Sequence, residues 1–92
     1  MAETDASTAI AFESLLRIAI LHLCSAAPDP EAELERWIAD IRHETDAMTR
    51  FAMTRKMAET ASANLITAAA TMSEFAEDLK SAFQARRQAK AR

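Results

Sequence analysis

From Glu31 to Arg92 the chain contains neither Gly nor Pro, so nothing in two thirds of its length obliges the backbone to leave an α-helix. Read as one helix, that segment is roughly 90 Å long at 1.5 Å per residue. Its apolar pattern argues against so simple an object. Leu34, Ile38, Ile41, Thr45, Met48 and Ala52 recur at alternating spacings of four and three. Ala58, Ala61, Leu65, Ala68, Met72, Phe75, Leu79 and Ala82 make a second stripe. At about 100° per residue the two stripes fall on nearly opposite sides of a straight helix, and they exchange between Phe51 and Met57.

Two solutions follow. A turn between about Lys56 and Asn64 brings both stripes to one core. Residues 58–64, AETASAN, are the weakest helix formers there, and Thr60 or Ser62 can cap a third helix. Alternatively one long helix buries opposite faces at its two ends against partner chains. We favour the turn, which predicts helices over about 7–26, 30–58 and 63–88. The expected fold class is all-α: a small helical bundle of three helices, or a short helix plus one long one, completed by oligomerisation in a single domain.

Composition agrees with the class. There is no Val, Tyr or Gly, which removes favoured strand residues and the usual hairpin-turn residue. Ala supplies 22 of the 92 residues. Methyl groups bury little area, and at roughly 25 cal/mol per Å² such a core is marginal for a monomer. Self-association relieves that deficit, so a homo-oligomer, in the simplest case a dimer, is expected.

The strongest punctuation is Ala27-Pro28-Asp29-Pro30. Pro28 disfavours helical geometry at Ala27, while Asp29 suits an N-cap and Pro30 the first helical position. Before it, Ile10, Phe12, Leu15, Leu16, Ile18, Ile20, Leu21, Leu23 and Cys24 cover nearly the whole circumference of a first helix. A helix apolar all round is a buried one. One or two further helices cannot easily surround it, so it inserts between subunits or keeps one face for a partner. The apolar run from Leu15 to Ala27 contains Arg17 and His22 and falls short of the ~20 residues of a bilayer span; no membrane span is expected. The start, MAETDAST, is acidic where an export signal needs positive charge. A lone cysteine, Cys24, fits a cytoplasmic setting.

Chemistry-bearing motifs are missing. Without Gly there is no phosphate-cradling loop or dinucleotide fingerprint. His43-Glu44 begins a zinc-protease pattern, but position 47 is Ala, so the second imidazole is lacking. His22 and Cys24, two residues apart, point to different sides of a helix and cannot share a metal. Ser14, Ser25, Ser73 and Cys24 have no base beside them. No catalytic residue, cofactor site or metal site is expected, and no motif assigns the chain to a known family.

Charge is polarised. Residues 1–46 carry ten acids against three bases, a net of −7, while residues 47–92 carry four acids against eight bases, a net of +4. An acidic helix packed against a basic one accounts for this most simply. The basic tail, residues 86–92, is the alternative: Arg86, Arg87, Lys90 and Arg92 form a set able to bind phosphates of a nucleic acid.

These observations point to a helical protein–protein interaction module that self-associates through the first helix and the Leu34–Met48 stripe. It would act as an adaptor, regulator or inhibitor on a partner protein whose identity the residues do not reveal. The contact residues expected are Trp37, Ile41, Met48, Phe51, Met53 and Met57, with Arg50 and Arg55 as rim charges. A nucleic-acid-associated regulator and a chaperone for an apolar client are the other readings.

Overall fold

The computed structural model describes residues 2–91, with side chains from residue 7 to residue 90. It consists of three helices: α1 (Ala2–Ala26), α2 (Pro30–Thr54) and α3 (Glu59–Ala91). There is no strand among the described residues. Contacts group the chain into two compact units, Met1–Leu34 and Glu35–Arg92, so their boundary falls inside α2.

The first unit holds α1 and the opening turn of α2. Helix α1 begins at Ala2, five residues before the expected start at Ser7, because no Gly or Pro stands in that stretch to stop it. It closes on a tight turn, in which the Ala27 N–H donates to the Cys24 carbonyl at 3.1 Å. Asp29 then starts α2 as its sequence context predicts. The Ala32 N–H donates to Asp29 Oδ1 at 3.2 Å, and the Glu33 N–H donates to the Asp29 carbonyl at 3.0 Å. Glu31 and Glu33 lie in the first turn, where negative charge meets the positive end of the helix. Ile20, Leu21, Cys24 and Leu34 are the buried apolar residues of this unit.

The second unit is an antiparallel hairpin of α2 and α3. Two contacts set its direction: Ser62 reaches Ala52 beside the turn, and Arg42 reaches Glu77 further along. The turn lies at residues 55–58, earlier than expected, so α2 ends at Thr54 rather than about 58 and α3 starts at Glu59 rather than about 63. No described residue has positive φ. The chain leaves α2 without the left-handed residue that ordinarily calls for Gly, which is how a glycine-free sequence makes this turn. Nor is Ser62 the N-cap of α3. That position belongs to Ala58, whose carbonyl accepts the Ser62 N–H at 3.0 Å.

The buried line of α2 follows the predicted stripe. Leu34, Ile38, Thr45 and Ala52 are buried, with Ile41 and Met48 half-buried at its edge. The Thr45 hydroxyl is satisfied inside its own helix, donating to the Arg42 carbonyl at 2.9 Å. In α3 the buried line is Ala69, Ala76, Leu79 and Phe83, rotated from the predicted stripe. Of the predicted residues only Leu79 is fully buried, while Leu65, Ala68, Met72, Phe75 and Ala82 are half-buried and Ala58 is exposed. Alanines at 69 and 76 permit close helix approach, which turns that side of α3 inward.

Candidate interaction surfaces

Helix α1 is largely exposed in the isolated chain. Only Ile20, Leu21 and Cys24 of its apolar residues are buried. Ile10, Phe12, Leu15, Leu16, Ile18 and Leu23 are exposed, Phe12 by 67 % and Leu16 by 52 %. A helix that is apolar all round is therefore left largely uncovered, because the three buried residues share one side near its C-terminal end. Contiguous exposed apolar area is rare on soluble monomers and is found at protein or membrane contact sites.

The apolar run is also longer than its charges suggest. Ser7–Ala26 is a 20-residue stretch whose most apolar 18 residues have mean hydropathy 1.6, long and apolar enough to cross a bilayer by length and composition. Ile10 and Phe12 extend it upstream of Leu15. The expected shortfall in length is thus removed, and what remains against a span is charge: Glu13 and Arg17 stand close to its middle.

The contact residues predicted on α2 do not form one patch. Trp37, Ile41, Met48 and Met57 are half-buried. Phe51 and Met53 are exposed, Met53 by 76 %, and so are Arg50 and Arg55. At helical spacing Trp37, Ile41, Met48 and Phe51 run along one edge of α2, whereas Arg50 and Met53 project elsewhere. The Arg55 guanidinium lies 5.2 Å from the Phe51 ring centroid, within cation–π range. The Leu34–Met48 stripe, expected at the self-association surface, has Leu34, Ile38 and Thr45 buried and offers little for a partner to touch.

Electrostatic contacts are modest. Arg42 Nη2 and Glu77 Oε1 are 3.2 Å apart, with both side chains more than half exposed. This pair joins a base of the acidic half to an acid of the basic half, the reverse of the simple complementarity read from net charge. Burial pushes the Cys24 thiol above its ordinary pKa, and the Glu33 carboxylate adds to the shift. His22 and His43 are exposed. No group of three His, Cys, Asp or Glu converges among the described residues. Arg86, Arg87 and Lys90 are exposed on the last turns of α3, and Arg92 lies outside the described residues.

The eight contact residues singled out lie on α2 and the turn; the α1 surface was expected to serve self-association, from the density of Ile, Leu and Phe between residues 10 and 23. Comparison with known protein families, with curated proteins and with solved structures finds no match.

Proposed function

We propose that this chain is a non-catalytic helical interaction module that works as a homo-oligomer, with α1 as its contact helix. One observation carries the reading: six large apolar side chains of α1 are exposed in the isolated chain. Leaving them in water forfeits much of the roughly 1.5–3 kcal/mol that burying each such side chain contributes. A second copy supplies cover for the side of α1 that carries Phe12, Leu15, Leu16 and Leu23, at no cost in new sequence. Phe51, Met53 and Arg55 then remain outward as a separate surface for a partner protein, and the module acts there as an adaptor, regulator or inhibitor.

A bilayer is the competing cover for α1, and its energetics are worse. Arg17 near the middle of a span costs about 2.5–3.5 kcal/mol and the Glu13 carboxylate a comparable amount, whereas each Leu, Ile or Phe returns only about 0.3–0.6 kcal/mol. Eight such side chains lie between Ile10 and Leu23, and together they fall short of the two charges. At a protein interface both charged heads can reach water along the rim.

Radical footprinting of the purified chain tests the reading. Phe12 and Met53 are similarly exposed in the isolated chain. At micromolar concentration Phe12 is expected to be protected and Met53 labelled, with Phe12 labelling rising on dilution. Labelling of both at all concentrations overturns the proposal.

A further inference from the structure

Ala9, Phe12, Leu16, Ala19, Leu23 and Ala26 recur along α1 at spacings of three and four, and all six are exposed. At about 100° per residue they occupy an arc of about 100°, centred roughly 120° round the helix from Ile20, Leu21 and Cys24. This is a heptad seam of two and a half repeats, with Ala9, Leu16 and Leu23 at one core position and Phe12, Ala19 and Ala26 at the other. Three of its six members are alanines, so it disappears when only large apolar residues are counted.

We propose that this seam packs antiparallel against the same seam of a second copy, with the two-fold axis passing between Arg17 and Ile18. The inference rests on the reading of α1 as the contact helix and names its occupant and register.

Register is the first argument. About that axis Ala9 faces Ala26, Phe12 faces Leu23 and Leu16 faces Ala19 of the second copy. Every seam residue has a counterpart of the other core class, so the surface is self-complementary as a two-fold contact requires. Volume is the second. Parallel in-register pairing stacks Phe12 on itself and Ala19 on itself, alternating bulge and gap. The antiparallel register confines alanine–alanine layers, Ala9 on Ala26, to the two ends, and inside them sets Leu16 over Ala19 and Phe12 against Leu23, which suits close packing. Opposed macrodipoles favour the same arrangement. Area is the third: the exposed seam with its flanking Leu15 offers on the order of 600 Å² per copy, approaching the roughly 800 Å² per partner of a standard interface.

The test is disulfide trapping in the full chain carrying Cys24→Ala. Ala9→Cys and Ala26→Cys are prepared as separate proteins, checked for helicity, and oxidised alone and after mixing. Disulfide-linked dimers are expected in the mixture, each containing one copy of either variant, and not in either protein alone. Cross-linking of each alone, with no mixed dimer, means a parallel pair and overturns the proposal. Absence of any cross-link overturns it as well. Leu16→Lys and Ala19→Glu make a second test free of thiols. Each is expected to halve the mass alone, with twofold mass recovered on mixing; no recovery contradicts the register. If footprinting shows Phe12 protected while both tests fail, the antiparallel seam falls and the contact-module reading stands. If Phe12 is unprotected, that reading falls first. Flotation of the wild-type chain with phosphatidylcholine vesicles, with loss of the mixed cross-link, assigns the seam to lipid and overturns the proposal.

Discussion

The Ser62 hydroxyl donates to the main-chain carbonyl of Ala52 at 3.3 Å, ten residues back and across the turn between α2 and α3. Ala52 is within the last four residues of α2, and carbonyls there have no intrahelical donor. The neighbouring Phe51 carbonyl is met by the Arg55 N–H at 3.1 Å. Ser62 thus ends one helix while belonging to the next. Ser62→Ala removes the donor from a half-buried site and is expected to cost about 1 kcal/mol. Urea denaturation at fixed protein concentration reads this as a lower midpoint with unchanged slope. An unchanged midpoint means the contact contributes nothing to the turn.

Leu79 and Arg42 predict very different costs for truncation within the same hairpin. Leu79 is fully buried, and Leu79→Ala leaves a cavity worth about 2–5 kcal/mol, a large share of the ~5–15 kcal/mol that holds an ordinary domain folded. Arg42→Ala breaks an exposed ion pair, which is worth about 0–1 kcal/mol. Thermal melts of the two variants are expected to separate clearly, with Arg42→Ala close to wild type. Equal losses contradict the placement of the core along Ala69, Ala76, Leu79 and Phe83.

Cys24 predicts a pH dependence. Burial, with a smaller contribution from Glu33, raises the folded thiol's pKa. The folded state therefore holds its proton at a pH where the unfolded thiol, near 8.5, has begun to ionise. The stabilisation is complete below that unfolded value and is lost as pH rises through the folded pKa. Alkylation by iodoacetamide at pH 8 is expected to be far slower than in the urea-unfolded chain, and the urea midpoint is expected to fall on moving to pH 9.5. Equal alkylation rates in both states contradict a buried Cys24.

Parts of this architecture were legible because their causes are local. Asp29 between two prolines is read from cap chemistry, and the structure shows its carboxylate on the Ala32 N–H. The α2 stripe was legible because charged residues surround Leu34, Ile38, Thr45 and Ala52 and leave one apolar side. Helix α3 offers no such contrast. Alanines stand on most of its sides, so a methyl pattern cannot say which line is buried, and Ala69, Ala76 and Phe83 emerge only from packing. The turn was displaced because Ser62 acts through space rather than as a cap in sequence. On α1 the apolar content was plain, but the line that Ala9, Ala19 and Ala26 make with Phe12, Leu16 and Leu23 shows only when exposure is known.

The exposed side of α1 is the surface on which we propose that this chain meets its own kind. Light scattering of the wild-type chain beside Leu16→Lys tests it most directly. The expected wild-type mass is a multiple of 10.1 kDa and the expected Leu16→Lys mass that of one chain, with equal helicity by circular dichroism. A monomeric wild type, or a Leu16→Lys variant that keeps the wild-type mass, contradicts it.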